Sequence, residues 1–536
     1  MGAQARHGED GRQAERGGRN EGHSLTFASV QENPHLGLVA NARARIGHEN
    51  GFLNPTVMST DAREGGSYRA RLGPHSRRWW LKRTATVALV AKGFEGPFIL
   101  AEPSPNSKLA TAVIGCGGRG EESLRAASGE RLVAIVDVED SRLAAAAKKA
   151  EEVGARPRAF FDYREMFDAM HREIDAVFVA TPDHHHAPAS MLALRHDKHV
   201  FCEKPLCHDI HEARALAKAA KARRLTTMMG NQGHCAEGYR RLCEYLWAGA
   251  IGDVLETHSW SGFVNGGAGG RPASSIAPAG LHWDQWLGPA AYRDYHTGLH
   301  PLYWRYYRDF GTGGLGDWGC HNLDGAFWAL APGHPTSIEC LGTIGGSEEK
   351  YPQAGVIRWN IAERAGRPAA KIYWYDGAKL AADGTAGERR GQITSPNYPP
   401  MLAEFEKKYD TNFREGWDGG TFYIGTKGLM HTGSYGERPR ILPEEAHRAF
   451  PPPAPTIPRI KGSHFAHFIE SCKAGKPTCA DFDYAAGITE FLLLGHLANR
   501  AGAGAKIEWD GIKMKCTNRP ELNRWLRREP RKGWEA

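Results

Sequence analysis

Apolar and polar positions change period along this chain, and the changes mark its elements. Short continuous apolar runs occupy residues 109–114, 131–136, 158–161, 175–181, 199–203 and 225–229. Between them, at 121–127, 141–153, 163–170, 187–195 and 209–224, small and apolar residues recur at helical spacing. Strands that are apolar throughout, each followed by a helix, predict a parallel sheet covered on both faces. The expected unit is a Rossmann-type, doubly wound α/β domain over residues 105–232. Ligands of such sheets bind beyond the carboxyl ends of the strands.

The pattern then changes. Residues 236–250 read as a helix and 253–260 as an alternating strand. Further strand-like runs at 336–344, 356–361, 371–375, 421–424 and 428–431 predict an α+β domain with a large, mostly antiparallel sheet over 233–505. Residues 261–280 and 378–419 are rich in Gly, Pro and charge and read as loop and excursion. The proline run at 451–458 reads as a stiff linker. Helices are expected at 463–474, with Ser463 as cap, and at 483–500. Residues 506–536 are expected as a C-terminal tail.

The front of the chain has no sustained periodicity. Residues 1–75 are rich in Gly, Arg, Asn and Glu and read as a disordered extension. Residues 76–104 resemble a twin-arginine export signal: Arg77 and Arg78, Trp79 and Trp80, Lys82, then a modest apolar stretch. That stretch is too short to span a bilayer and meets Lys92 and Glu95, so stable membrane insertion is not expected. Such signals sit at an extreme N-terminus, which makes Met58 a candidate start and the vicinity of Ala101 a candidate cleavage point. The expected location is periplasmic; an uncleaved tail on a cytoplasmic protein is the alternative.

Charge excludes one class of partner. The net charge is +7, but residues 1–83 carry 13 Lys/Arg against 8 Asp/Glu, leaving only +2 for the rest. No broad basic face for nucleic acid is expected. The 10 cysteines contain no C-x-x-C pair, so neither a zinc site nor a disulfide scaffold is indicated. They read as buried small side chains.

The first apolar run leads into Gly115, Cys116, Gly117, Gly118, Arg119 and Gly120, with glycines in G-x-G-x-x-G spacing before a helix. In a dinucleotide site the first glycine allows the turn and the second admits the pyrophosphate. The third lets helix and strand pack, and the helix N-terminus favours phosphate charge. Asp137 ends the second strand 22 positions after Gly115, where a carboxylate can accept from a ribose 2′-OH. It would repel a 2′-phosphate, which favours NAD over NADP. Three further strand ends should face the cofactor: Thr181 and Pro182 with His186 beyond them, Glu203–Lys204–Pro205, and Asn231 with Gln232. The run His184–His186 tempts a metal reading. In an extended segment adjacent side chains diverge, so no metal site is assigned.

With the glycine loop and Thr181–Pro182, the Glu203–Lys204–Pro205 stretch resembles the Gfo/Idh/MocA family, the glucose–fructose oxidoreductase and inositol dehydrogenase group, over about residues 108–534. It looks closest to twin-arginine-exported members. The resemblance implies that Lys204 lies beside nicotinamide and substrate, and that the Lys204–Pro205 peptide is cis. It also bears on Asp317 and His321, four apart in a glycine-rich stretch that opens a helix at Asn322. Spacing alone fits a helix cap and a packed histidine as well as a carboxylate–imidazole pair. They match the family's D-x-x-x-H pattern, which implies a second wall reaching back to Lys204. Aromatic segments nearby, with Trp304 and Arg305, suit a sugar ring or equally a packed core.

The leading expectation is an NAD(H)-dependent oxidoreductase acting on a hydroxyl of a sugar or cyclitol. His321 is expected to move the proton, with Lys204 as hydrogen-bond donor or alternative base and Asp317 orienting substrate or imidazole. A redox-neutral enzyme that keeps its NAD and cleaves or modifies a glycoside is a second reading. A non-catalytic NAD- or sugar-binding protein is a third. The resemblance also implies a homodimer or homotetramer.

Overall fold

The computed structural model describes residues 107–263, 265–364, 366–378, 396–415 and 417–535. The expected extension at 1–75, the signal-like segment at 76–104, and the start and cleavage points lie outside them.

The first sheet is parallel throughout, in the order β3-β2-β1-β4-β5-β6. Its strands are β1 Ala110–Ile114, β2 Arg131–Val136, β3 Arg158–Phe160, β4 Ala176–Val179, β5 His199–Cys202 and β6 Thr227–Met229. Alternate residues face opposite sides. Val113, Ile135, Phe178, Phe201 and Met228 join one core; Ile114, Val136, Val177, Val179, Val200 and Met229 join the other. Helices α1 Gly120–Ser128 and α2 Asp140–Glu152 cover the first face. Helices α3 Tyr163–Met170, α4 His186–Arg195 and α5 Ile210–Arg223 cover the second. Asp209 caps α5 in a capping box with Glu212.

β6 runs into the four-residue α6, Gln232–Cys235, then α7, Glu237–Trp247. The second sheet has the order β13-β12-β11-β7-β10-β9-β8-β14-β15. Its central strands are β7 Val254–Ser261, β8 Ser337–Ile344, β9 Ala354–Ile361, β10 Ala370–Gly377 and β11 Gly419–Gly425. β12 Leu429–Gly433 and β13 Arg440–Leu442 extend one side; β14 Lys506–Asp510 and β15 Lys515–Cys516 extend the other. β7 and β10 pair parallel and the remaining described pairs are antiparallel. Among the described residues no helix is long and apolar enough to cross a membrane.

Two features depart from the linear reading. The segment that starts at 506 begins as part of the sheet, because β14 pairs with β8. From there the chain returns to the first domain: the Arg528 N–H donates to Asp209 Oδ2 at 3.0 Å and the Trp534 ring meets Tyr163 edge-on. Next, α8 Trp283–Leu287 is followed by α9, Gly313–Asn322, which is helical and buried at every residue. The sequence reading started this helix at Asn322, since glycine costs ~1 kcal/mol against alanine within a helix. Its glycines are explained by what surrounds them. A Cβ on Gly314 would lie 2.5 Å from an Asp376 oxygen, and one on Gly319 would lie 3.0 Å from Leu492. The helix is pressed between β10 and a later helix, so only a bare backbone fits.

Last come α10 Asp324–Leu330, α11 Leu402–Tyr409, α12 Glu444–Ala449, α13 His464–Ala474 and α14 Phe482–Ala501. Ser463 caps α13 as expected. Phe465 and Phe468 of α13 pack on Phe201 and Phe178 of the first sheet, with ring centroids 4.8 and 5.4 Å apart. A late segment thus completes the first domain's core.

Candidate active site

The glycine turn is built by close approach. Gly115 has φ +85°, and a Cβ there would lie 2.7 Å from the Ala180 carbonyl oxygen. A Cβ on Gly120, the first residue of α1, would collide with the Gly115 carbonyl. Glu121 and Glu122 fill the first turn of α1, where carboxylates suit the helix dipole. Cys116 does not face the cavity beside this turn; its N–H donates to Asp137 Oδ2 at 2.8 Å. The N–H of Glu139 donates to Asp137 Oδ1 at 3.1 Å. Burial pushes the Asp137 carboxyl above its ordinary range, with the Cys116 N–H and Arg142 pulling the other way. The carboxylate predicted to meet a ribose therefore also braces the glycine turn. Arg142 lies against Gly117 and pairs with Glu139 at 2.8 Å.

One cavity of about 830 Å³ runs from this turn into the second domain. Gly115, Gly117, Gly118, Arg119 and Asp137 line one end; Lys204, Trp304, Arg305, Asp317 and His321 line it further on. Thr181, Pro182, His186, Glu203 and Gln232 lie between. Thr181 Oγ1 and Gln232 Oε1 are buried without a hydrogen-bond partner, while Glu203 Oε1 lies 3.5 Å from Arg119 Nη2. Buried polar atoms are rarely left in that state. Their alignment along a glycine cradle fits a polar, dinucleotide-shaped occupant.

The segment at 183–186 is helical, not extended: a 3-10 turn, Asp183–His185, leads into α4. The expectation of alternating side chains fails because the turn lets neighbouring imidazoles share an acceptor. His184 Nε2 and His185 Nε2 both lie 3.0 Å from the Trp286 carbonyl. His186 faces carbonyls with both ring nitrogens, Pro205 at 2.7 Å and Thr181 at 2.9 Å. Burial disfavours its charge, but Cys202, Asp183 and the Pro205 carbonyl outweigh that and hold it near 10. It is an imidazolium strap between the ends of β4 and β5. The Lys204–Pro205 peptide is cis.

Lys204 crosses to the second domain. Its Nζ donates to Asp317 Oδ1 at 2.6 Å and to the Asp317 carbonyl at 2.7 Å. Asn265 Nδ2 donates to Asp317 Oδ2 at 2.9 Å, and Arg305 Nε lies 3.5 Å from Oδ1. The partner of the His321 ring is different from the one expected. His321 Nδ1 sits 2.8 Å from Asn231 Oδ1, while Asn231 Nδ2 donates to the Cys320 carbonyl at 2.8 Å. The carbonyl fixes the amide orientation, so Oδ1 must accept and His321 Nδ1 must carry the proton. That leaves the Nε2 lone pair for the cavity. Burial, then the charge of Lys204, drives His321 well below its ordinary value, so the ring is neutral at pH 7. Asn231 was expected against the cofactor; it is fully buried behind the histidine instead.

Sequence reasoning missed Asn265, which lies in an aperiodic loop and carries no local signal. It also missed Trp318, Trp417 and Tyr435, which line the same cavity. Trp318 stacks on Phe263 at 4.4 Å with its Nε1 buried and unpartnered, while Trp417 is 53% exposed.

Residues 109–231 match the model of an oxidoreductase family with an NAD-binding Rossmann fold, the Gfo/Idh/MocA group. Residues 256–343 match that family's C-terminal alpha/beta domain. An uncharacterized oxidoreductase of Streptococcus pneumoniae is 36% identical over 110 residues, 20% of this chain and 29% of the relative. Inositol 2-dehydrogenase 2 of Saccharopolyspora erythraea is 33% identical over 179 residues, 32% of this chain and 50% of the relative. The chain thus spans half or less of the length of these relatives. The WlbA dehydrogenase from Bordetella pertussis, solved in complex with NADH and UDP-GlcNAcA, shares the fold. Its TM-score is 0.50 at 14% identity, over 75% of this chain and 98% of that one.

Proposed function

We propose that this chain, a Gfo/Idh/MocA-family oxidoreductase by both of its matched domains, is an NAD(H)-dependent dehydrogenase of a sugar or cyclitol hydroxyl. One observation carries the reading: a single cavity joins the glycine turn and Asp137 to Lys204, Asp317 and His321. The inositol dehydrogenase among the relatives supports a polyol-like substrate. Gly115, Gly117 and Gly118 would admit the pyrophosphate, with Cys116 and Gly120 shaping the turn from behind. Asp137 would accept from the ribose, and its carboxylate would repel a 2′-phosphate, hence NAD over NADP. Bound nicotinamide supplies a two-electron hydride acceptor or donor.

The chain's own residues manage the proton. An ammonium has three N–H donors. Two of those on Lys204 serve Asp317, leaving one for the reacting oxygen. His321 Nε2 takes the hydroxyl proton as the carbonyl forms and returns it in reduction. Asp317, held by Asn265 and Arg305, keeps Lys204 directed into the cavity. Trp304, with one face under the Arg305 guanidinium, and Trp318, with one face on Phe263, line the wall that a substrate ring would meet.

The signal-like segment supports twin-arginine export to the periplasm, and the broad second sheet supports a homodimer or homotetramer. Fractionation of cells and light scattering on the purified protein test these two readings. The activity is tested by a cofactor spectrum of the purified protein and by absorbance at the NADH band during a screen of cyclitols, sugars and glycosides. NADH accumulating with a polyol supports the dehydrogenase. Turnover of a glycoside without NADH accumulation replaces it with the redox-neutral reading. Failure to bind NAD overturns both.

A further inference from the structure

The cavity leaves aside a pair of thiols that the linear chain gave no reason to connect. Cys235 ends α6 and Cys479 precedes α14, 244 positions later, yet their sulfurs lie 3.1 Å apart. Both are free thiols in this structure. We propose that Cys235 and Cys479 are a reversible disulfide-forming pair that clamps the wall of the cavity carrying Asn231 and Gln232 to the segment leading into α14.

The two cysteines differ in the way a nucleophile and its resolving partner differ. Cys479 is partly exposed and Cys235 is buried. The Cys235 thiol, then His467 and His234, hold Cys479 well below the usual thiol range against the opposing effect of burial. His234 pairs with buried Asp324 at 2.9 Å, which raises its pKa against the opposing effect of burial. Cys235, hydrogen-bonded to its neighbour and buried, is pushed up. The thiolate is the reactive form and Cys479 is the sulfur that solvent reaches, so Cys479 attacks first.

The step balances with a low-molecular-weight disulfide as oxidant. Cys479 sulfur attacks one of its sulfurs, the oxidant S–S bond breaks and one thiol leaves. Cys235 then loses its proton, attacks Cys479 sulfur and expels the second thiol. Two protein thiols are oxidised and one small disulfide is reduced to two thiols. The link falls three residues after Gln232, which lines the cavity, and four after Asn231, which holds His321. It also sits beside the backbone bond from the Met229 N–H to the Ala480 carbonyl, where β6 meets the segment before α14. Oxidation therefore fastens α6, which follows the edge strand of the first sheet, to the segment leading into α14.

The test treats the full-length protein with oxidised glutathione, blocks remaining thiols under denaturing conditions, and maps peptides without reduction. The expected result is one cross-linked peptide joining 235 and 479, a mass loss of about 2 Da, and return of both thiols on reduction. A higher thermal midpoint in the oxidised protein than in the reduced protein is expected alongside. C235A should abolish the link and leave Cys479 as a glutathione adduct. Should that variant fail to fold, the wild-type map and midpoints decide alone. Full labelling of both thiols after oxidation, or a link from Cys479 to another cysteine, overturns the proposal.

Discussion

Replacing Asn231 separates the roles of His321 most sharply. In the wild type, Asn231 selects the Nδ1–H tautomer and leaves Nε2 as a bare base. Asn231→Leu keeps the volume but strands two buried groups, the Cys320 carbonyl and the His321 Nδ1–H. Each stranded group costs about 1–3 kcal/mol, so the fold loses about 2–6 kcal/mol in all. Turnover falls by about 10- to 100-fold, since losing the selected tautomer is worth about 1.4–2.8 kcal/mol of barrier. Asn231→Asp puts a carboxylate against the same nitrogen and favours the imidazolium. The sign follows from the base role. Wild-type His321 is held below its ordinary value by burial and Lys204, so kcat/KM is flat through pH 7 and falls only well under pH 6.5. A new anionic neighbour moves that acid limb up by about 1–3 pH units. The assay is kcat/KM against pH for both variants, with circular dichroism to confirm folding. An acid limb that stays in place in Asn231→Asp would refute His321 as the proton-transfer base.

Other consequences are as direct. Gly115→Ala forces a side chain into a φ of +85° and within 2.7 Å of the Ala180 carbonyl, so NAD affinity measured by calorimetry should fall at least 10-fold. Trp417→Ala removes an exposed ring from the cavity wall; steady-state kinetics should show KM rising several-fold with kcat little changed, because only ground-state binding is touched. Acid should weaken the fold: His184, His185, His208, His321, His431 and His496 are all held below 6.5, with burial the first cause for each. The unfolded chain binds protons there that the fold does not, so stability is full above about pH 7 and declines below about 6.5. His186 and His234, both raised, act in the opposite sense. Thermal midpoints between pH 8 and pH 5 should therefore show a net fall.

The first domain was legible because its signals are local. Continuous apolar strands, a glycine turn and an acid ending β2 all lie within a few tens of residues, and their alternation with helices predicts the parallel, doubly wound sheet. The second half was legible as alternating strands, but its sheet order was not, since β14 pairs with β8 from 169 positions away, at Ile507 and Ile338. Helix α9 was half missed because propensity argues against four glycines, while the contacts that demand them come from Asp376 and Leu492. Lys204, Asp317 and His321 were singled out from motif and spacing. Their pairing was not, because the acceptor for the imidazole is Asn231, 90 positions earlier, and the clamp on the carboxylate is Asn265 in an aperiodic loop. The thiol pair was invisible for the same reason: no spacing rule relates Cys235 to Cys479.

The central claim is that one cavity holds a dinucleotide at one end and does proton and hydride chemistry at the other, with Lys204 at the junction. Lys204→Ala, assayed for NAD affinity and turnover on the same preparation, tests it most directly. Removing a charged donor from the reacting oxygen should leave NAD binding within a few-fold of wild type and lower kcat by about 100- to 1,000-fold. Turnover within a few-fold of wild type, with NAD still bound, would contradict it.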